Sequence, residues 1–375
     1  MSVPKFKTTI KCLGSLSARR GMKGEATMTY SSQLRYQKQK VSQWLSCKNL
    51  PEVAVLLELP YNHLQLLLLQ PSYHIFEIPK ADKTFRTIEA PLGQVKTVLQ
   101  KLNTYLQACY YFCKTPAAYG YVSCLQNDPD PRNIVLNASR HLNKKYLLNI
   151  DLDNFFHQVT TAKVADIFYA KPFKIHKYLM DWLCGITTYN GRLPMGSPTS
   201  PVLSNFATIA LDNELQAFAV RNNITYTRYV DDLSFSCSTE LNQKHFQEIQ
   251  DIIQSHQFLL NYDKVKWFKP EDDKIITGLI VNKKVEIPHS FLENLEADIL
   301  RLKHSLEVHQ AFQPNSKTNW LEEFELQVTG KINFISMVYG TKSQTVQYFN
   351  NKLNDAYKTA DYLQSRNWLD FNYQW

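Results

Sequence analysis

Between Ile224 and Ser238, apolar and polar side chains alternate in two short runs that flank the tripeptide Val230-Asp231-Asp232. Alternation with a period of two is the pattern of a β-strand with one apolar and one polar face. The segment therefore predicts an antiparallel hairpin that carries two adjacent acidic residues at its tip. It is the clearest local structure that this sequence predicts.

A third acidic residue, Asp151, closes a separate apolar run of strand length that begins at Tyr146. Three carboxylates at strand ends can hold two hard divalent cations about 3.5–4 Å apart, one activating an attacking oxygen and the other stabilising a leaving oxygen. This is the apparatus of nucleotidyl transfer. An Asp-Asp turn alone is more often a solvated loop, so the neighbouring motifs decide between the two interpretations.

The N-terminal part of the chain predicts helices followed by a pair of strands. The pattern is helical from Tyr30 to Leu69, with breaks at residues 49–51 and 59–60, and predicts a small helical cap. Residues 73–91 predict two strands joined by a polar turn at residues 80–83.

The length and the C-terminal pattern indicate a folded protein of two or three subdomains. A helix is predicted from Leu92 to about Tyr111, and the run beyond Pro288 is amphipathic, with apolar residues every three or four positions. Two more helical stretches follow and complete a helical C-terminal third. The most apolar runs, residues 53–57 and 66–69, are much shorter than the roughly 20 residues of a membrane span, so no membrane association is expected.

Basic residues are concentrated at the N-terminus of this chain, whose net charge is +8. Residues 1–28 contain six Lys or Arg and one acidic residue, which predicts contact with a polyanion through release of phosphate counterions. A solvated or processed leader is the alternative.

The seven cysteines form no C-x-x-C pair and indicate reduced thiols in a cytosolic protein. Cys109 and Cys113 are interpreted as one face of an apolar helix.

The segment Arg228-Tyr229-Val230-Asp231-Asp232 resembles the active-site hairpin of reverse transcriptases, and the segment from Asp151 to Phe156 resembles their first catalytic motif. Four further motifs occur in the order of that family, at residues 78–91, 193–201, 261–264 and 277–279. The resemblance implies an α+β right-hand polymerase fold with fingers, a palm with an antiparallel sheet, a helical thumb and an N-terminal helical extension. It also implies an RNA-directed DNA polymerase that binds two Mg²⁺ ions through the catalytic residues Asp151, Asp231 and Asp232.

The same resemblance implies domain boundaries. They are a basic arm at 1–28, a helical cap at 29–70, fingers at 71–145, a palm at 146–287 with part of the fingers inserted at about 160–190, and a thumb at 288–375.

Five residues match family positions that bind the incoming dNTP. Lys80 and Arg86 offer a point charge and a planar fork to phosphate oxygens, although both could be ordinary surface charges. Phe156 matches the steric gate that selects deoxynucleotides, with a core aromatic residue as the alternative. Gly196 lets the backbone approach the nucleotide without a Cβ atom, and Lys264 matches a lysine near the leaving phosphate.

Three further residues bear on nucleotide and primer binding. Met195 stands where most relatives have a glutamine, so one polar contact with the nucleotide is absent. Thr277 and Gly278 match the hairpin that grips the primer and also the V-T-G signature of retron enzymes, with Ile276 in place of Val. Residues 328–330 match that signature letter for letter, but they fit better within a thumb helix.

Asn137-Ala138-Ser139-Arg140-His141 resembles the N-A-x-x-H signature of retron reverse transcriptases. Membership implies binding of a cognate structured noncoding RNA, priming from an RNA 2′-OH, and a branched RNA-linked single-stranded DNA (msDNA) used in antiphage defence. Asn137 and His141 could contact the RNA, or could support the turn before the Asp151 strand.

The partners that the resemblance implies are the noncoding RNA, its msDNA product, dNTPs and a retron effector protein, in the bacterial cytoplasm. Three alternatives stay open at this point. The first two are a defence-associated reverse transcriptase outside the retrons and an enzyme like those of group II introns. The third is a polymerase-shaped RNA-binding scaffold without catalysis, against which the presence of all three aspartates argues.

Overall fold

The computed structural model describes residues 29–69, 72–80, 84–312 and 319–365. The predicted basic arm, residues 1–28, lies outside the described residues. The chain divides into two compact units, of which the first contains the described residues up to 277 together with 281–283. The second unit contains residues 278–280 and the described residues from 284 onward.

The first unit begins with the helices α1 (Tyr30–Ser46), α2 (Leu50–Leu56) and α3 (Tyr61–Leu66). Asn49 caps α2, because its side chain accepts a hydrogen bond from the backbone N–H of Glu52 at 3.0 Å, and a proline follows in the first turn. Pro60 is the N-cap residue of α3 and makes no side-chain capping bond. These caps are the two predicted breaks, and the helical prediction for residues 30–69 is confirmed.

Two antiparallel strands follow, β1 (Tyr73–Pro79) and β2 (Phe85–Pro91). The backbone N–H of Lys80 donates to the carbonyl of Thr84 at 2.7 Å and joins the two ends of the turn. The predicted strand pair is confirmed, and most of β1 is exposed.

The helices α4 (Gly93–Cys113) and α5 (Ile134–Ser139) precede the next strand. Cys113 Sγ contacts the carbonyl of Cys109 at 3.2 Å, so the two cysteines share one face of α4 as predicted. Burial raises the pKa of Cys109 to about 12. The cysteines of the described chain are free thiols. Among the described residues, no helix is both long and apolar enough to span a bilayer.

A four-stranded antiparallel sheet follows, in the order β4-β5-β3-β6. Its strands are β3 (Tyr146–Asp151), β4 (Thr225–Tyr229), β5 (Asp232–Cys237) and β6 (Lys266–Phe268). The connecting helices are α6 (Thr161–Tyr169), α7 (Lys177–Thr187), α8 (Ser200–Ala207), α9 (Ile209–Arg221) and α10 (Gln243–Ser255). The predicted hairpin is therefore β4–β5, and the predicted run that ends at Asp151 is β3.

The polar face of β5 is covered rather than solvated, which alternation alone does not predict. Ser234 and Ser236 are both buried. The Ser234 hydroxyl donates to Asn149 Oδ1 at 3.1 Å, and Ser236 Oγ lies 2.7 Å from a ring nitrogen of His141. Small hydroxyl side chains with hydrogen-bond partners can be buried at low cost.

Three short strands, β7 (Ile275–Ile276), β8 (Leu279–Val281) and β9 (Val285–Glu286), form a separate sheet in that order. Thr277 and Gly278 join β7 to β8 with φ values of 48° and 87°. Two consecutive residues with positive φ are typical of a tight type I′ hairpin turn.

The second unit contains the helices α11 (His289–Phe312), α12 (Asn319–Tyr339) and α13 (Gln344–Ser365). The predicted apolar stripe of α11 is buried at Leu295, Ile299, Leu302 and Leu306. Gly330 lies inside α12 between the buried Val328 and Ile332, so the prediction that residues 328–330 belong to a helix is confirmed.

Candidate active site

The sheet brings the three sequence-predicted aspartates to one end. Asp151 is the last residue of β3 and is paired with Asp232, the first residue of β5. The backbone N–H of Leu152 donates to the carbonyl of Asp231 at 3.0 Å, which extends the pairing one residue beyond β3. Residues that are far apart in the sequence are therefore neighbours at this end of the sheet, and Asp151 itself is buried.

Lys264 lies against Asp151. Its Nζ atom is 2.8 Å from both Oδ1 and Oδ2 of Asp151. The short 3₁₀ helix Tyr262–Lys264 is positioned for this contact, because the backbone N–H of Asn261 donates to the carbonyl of Asp151 at 2.8 Å. The family resemblance implies a place for Lys264 near the leaving phosphate, whereas in this structure its ammonium group pairs with the carboxylate of Asp151.

The donor set has the right chemistry for Mg²⁺, because carboxylate oxygens are the hard ligands that this ion prefers. The pairing of Asp151 with Asp232 and the bond from Leu152 to Asp231 also bring the backbones of the three acids to the same end of the sheet. In the described chain, however, no group of three or more His, Cys, Asp or Glu side chains is arranged to hold a metal ion. The residues present therefore fit a divalent cation in the chemistry of their donor atoms, and the Nζ atom of Lys264 is bonded to one of their carboxylates.

Phe156 lies in the 3₁₀ helix Phe155–Gln158 that directly follows the first motif. Its ring centroid is 6.2 Å from that of Tyr121 and 5.7 Å from that of Phe155. Phe155 is buried in the core, whereas Phe156 is only half-buried. Of the two adjacent rings, Phe156 is therefore the more exposed one.

Gly196 has a φ of 132°, and a Cβ atom there would lie 2.9 Å from the carbonyl oxygen of Glu89 and 3.0 Å from Ile88. The adjacent backbone makes a direct contact, since the N–H of Glu89 donates to the carbonyl of Met195 at 2.7 Å. On the sequence alone, glycine at this position is attributed to the close approach of the backbone to the nucleotide. The structure supplies another cause, which is the close approach of strand β2.

Sequence reasoning missed a charged cluster beside this loop, which forms around the buried Glu89. Glu89 forms two bonds with Arg192, from Nη1 at 2.8 Å and Nη2 at 3.1 Å. His157 Nε2 lies 3.7 Å from Glu89; burial and Arg192 lower the pKa of this histidine against the opposing effect of Glu89. These residues fix β2 to the segment before Gly196. The sequence gives one signal of this cluster, which is the acidic residue Glu89 in the mostly apolar part of β2 that follows Arg86.

Lys80 and Arg86 lie on the β1–β2 hairpin and are half-buried. Arg86 stands opposite Ile78 in the strand register, and Lys80 begins the turn. The structure thus brings the two predicted phosphate-binding cations onto one hairpin.

Asn137 and His141 are both only 1% exposed. The ring nitrogens of His141 lie 2.7 Å from the hydroxyls of Ser236 and Thr227, on the adjacent strands β5 and β4. Burial, with smaller effects from nearby cations, lowers the pKa of His141 to about 3. The burial of both residues and the contacts of His141 with β4 and β5 favour a supporting role over direct contact with RNA.

The amide of Asn137 has no hydrogen-bond partner for either of its polar atoms in the described structure. The same holds for the Thr277 hydroxyl, which is buried in the β7–β8 turn. Thr277 and Gly278 thus form the hairpin turn that the sequence predicted at the primer-binding motif.

Residues 78–326 match the family described as reverse transcriptase (RNA-dependent DNA polymerase). The retron Ec86 reverse transcriptase of Escherichia coli is 28% identical over 296 residues, covering 76% of this chain and 85% of the relative. The retron Ec83 reverse transcriptase of the same organism is 27% identical, covering 57% and 70%. A structure of telomerase from Candida albicans with a fragment of telomeric RNA aligns with a TM-score of 0.42 at 11% identity, covering 91% of this chain and 71% of that one.

Proposed function

Because the chain belongs to the reverse transcriptase (RNA-dependent DNA polymerase) family and resembles its retron members, we propose that it makes msDNA. In this reaction it copies a cognate structured noncoding RNA into single-stranded DNA and primes from an RNA 2′-OH. The predictions of a right-hand polymerase fold and of an RNA-directed DNA polymerase are confirmed by the family match. The further role in antiphage defence, with an effector protein, is part of the proposal.

One structural observation supports the proposed chemistry above all, the pairing of Asp151 with Asp232 at the ends of β3 and β5. Asp151, Asp231 and Asp232 would hold the Mg²⁺ ions. When bound, these ions supply a lowered pKa for the attacking hydroxyl and neutralise charge on the leaving pyrophosphate. Lys264 is within reach of the same carboxylate and would present its ammonium group to phosphate oxygens after release from Asp151.

The remaining residues would bind and select substrates. Lys80 and Arg86 would bind the triphosphate of the incoming dNTP, the first as a point charge and the second as a planar fork. Phe156 would exclude a ribose 2′-OH by the bulk of its ring. Thr277 and Gly278 would hold the primer at their hairpin turn.

The retron part of the proposal concerns which RNA is used. Asn137 and His141 would act indirectly, by supporting the strands that carry the aspartates. The choice of RNA would then depend on exposed surfaces, and the partners would be the noncoding RNA, its msDNA product and an effector.

Nucleic acid that copurifies with the protein tests this function. The chain is expressed with the genomic DNA that flanks its gene, and the extracted nucleic acid is treated with RNase and then with DNase. We expect a band that shortens under RNase and disappears under DNase. The same preparation with Asp231→Asn is the control and should contain RNA without DNA.

Two other outcomes would contradict the proposal. Extension of a generic annealed primer without any branched product would indicate a reverse transcriptase outside the retrons. Copurified RNA with no metal-dependent dNTP incorporation would indicate a catalytically silent scaffold.

A further inference from the structure

A fully buried ion pair lies beneath the β4–β5 hairpin. Arg228 on β4 and Asp212 on α9 both have fully buried side chains. Arg228 Nε donates to Asp212 Oδ1 at 2.8 Å, and Nη2 donates to Oδ2 at 2.7 Å. The carboxylate also accepts bonds from the hydroxyls of Thr115 at 2.8 Å and Tyr226 at 2.9 Å. Two parallel bonds fix the plane of a guanidinium group.

The other edge of the guanidinium group reaches the tip of the hairpin. Arg228 Nη1 donates to the carbonyl of Val230 and to Asn205 Oδ1, both at 3.0 Å. Val230 has a φ of 65°, a conformation that is unfavourable for a β-branched residue. Such a conformation is strained and persists only where the surroundings impose it. Arg228 supplies part of that constraint.

Gly120 also packs closely against this turn. A Cβ atom on Gly120 would lie 2.6 Å from Val230 Cγ2 and 2.8 Å from its backbone nitrogen, so only glycine permits this approach. The Asn205 side-chain amide donates to the carbonyl of Gly120 at 3.0 Å. Asn205 therefore binds both the guanidinium of Arg228 and the backbone that packs against Val230.

We propose that Arg228 is a positioning residue for nucleotidyl transfer. Its guanidinium group holds the backbone of Val230 and so fixes the carboxylates of the two residues that follow. Asp212 and Asn205 orient the guanidinium group. The inference rests on the proposed role of those two carboxylates as ligands of the metal ions.

The replacement Arg228→Lys separates positioning from stability. A lysine keeps the charge opposite Asp212, but its single nitrogen cannot reproduce the planar fork that also reaches Asn205 and Val230. Arg221→Lys is the matched control, because Arg221 forms an exposed pair with Glu248 at 3.1 Å.

Three measurements on the purified full chain decide the matter: thermal unfolding, steady-state primer extension, and Mn²⁺ affinity by electron paramagnetic resonance. In Arg228→Lys we expect kcat to fall about 10–100-fold from a small displacement of the acids. Mn²⁺ binding should weaken, while KM for the primer–template is unchanged. Arg221→Lys should match the unaltered protein. A folded Arg228→Lys protein with normal kcat and normal Mn²⁺ affinity would overturn the inference.

Two further variants keep the test decisive. If Arg228→Lys does not fold, Asn205→Ala replaces it, because this change leaves the ion pair intact and should give the same loss of kcat and of Mn²⁺ affinity. Val230→Gly relieves the backbone strain at the turn. In the double variant Val230→Gly/Arg228→Lys, the fold-loss of kcat should therefore be smaller than the product of the fold-losses of the two single variants. Independent, multiplicative losses would overturn the inference.

The proposed function is tested separately on the same preparations. If the Asp231→Asn variant extends primers normally, the proposed role of the hairpin in binding the metal ions is wrong, regardless of the result for Arg228→Lys. If Asp231→Asn is inactive and Arg228→Lys behaves normally, only the positioning role fails.

Discussion

Asp151 and Asp232 stand directly opposite each other in the antiparallel pairing of β3 with β5. Directly opposed residues of such a pair have Cα atoms about 4.5–5.5 Å apart, and a slip of one residue would turn a side chain to the other face of the sheet. The bond from the Leu152 N–H to the Asp231 carbonyl fixes the register at this end. The sheet register thus sets the spacing of acids that are about eighty residues apart in the sequence.

Replacing Asp231 or Asp232 by asparagine should abolish DNA synthesis and leave RNA binding intact, because each change removes a charge needed to hold a metal ion while conserving shape. Primer extension and filter binding on the same preparation measure the two effects. Asp251→Asn, at an exposed position of α10, is the control and should extend normally. Near-normal extension by either hairpin variant would remove that residue from the site.

Local pattern predicts the elements of this fold well, since alternation and helical spacing depend only on neighbours in the sequence. This kind of pattern predicts the β4–β5 hairpin, the strand that ends at Asp151 and the helical C-terminal unit. The contacts of Lys264 with Asp151 and of Arg228 with Asp212 are different. These contacts join residues that are distant in the sequence and are brought together by tertiary packing. A short-range periodicity in the sequence does not predict such contacts.

Phe156→Ala or Phe156→Val should admit ribonucleotides, because the proposed gate acts by the bulk of a half-buried ring. We expect the preference for a dNTP over the matching rNTP to fall about 10–100-fold, the scale of steric discrimination in a pocket. Steady-state incorporation of both nucleotides gives the ratio.

Phe155→Leu is the control, since Phe155 is a buried neighbour in the same 3₁₀ helix. It should reduce stability without changing the ratio. An active Phe156 variant with an unchanged ratio would make Phe156 a core residue.

Gly196→Ala should destabilise the protein by about 1–3 kcal/mol and weaken dNTP binding, because the new methyl group would force β2 away from its loop. Gly191→Ala is a matched control: Gly191 also has a positive φ, of 78°, but a Cβ atom there meets nothing within 4 Å. Denaturant unfolding and KM for dNTP measure both effects. Equal losses in the two variants would assign the effect to backbone strain rather than to the contact with β2.

His141→Gln should impair extension of the cognate RNA and of a generic primer–template by the same factor. The imidazole ties strands β4 and β5 together through Thr227 and Ser236, so its loss acts on the hairpin whichever substrate is bound. Rates on both substrates from one preparation give the two factors. A loss confined to the cognate RNA would instead support direct RNA contact.

His141 should also make the fold sensitive to acid. Its pKa in the folded protein is about 3, lowered chiefly by burial, whereas an unfolded histidine titrates near 6.5. Between these values the unfolded chain binds the additional proton, so the free energy of unfolding falls as the pH falls below about 6.5. By pH 5 this residue alone should cost about 2 kcal/mol of stability.

Urea unfolding at pH 7 and pH 5 measures that contribution when the protein is compared with His141→Gln. The unaltered protein should lose more stability between the two pH values than the variant, because glutamine does not titrate. His63→Gln, at an exposed position of α3, should behave like the unaltered protein. Equal losses in all three proteins would mean that His141 accepts a proton in the folded state, and hence that its contacts with β4 and β5 open readily.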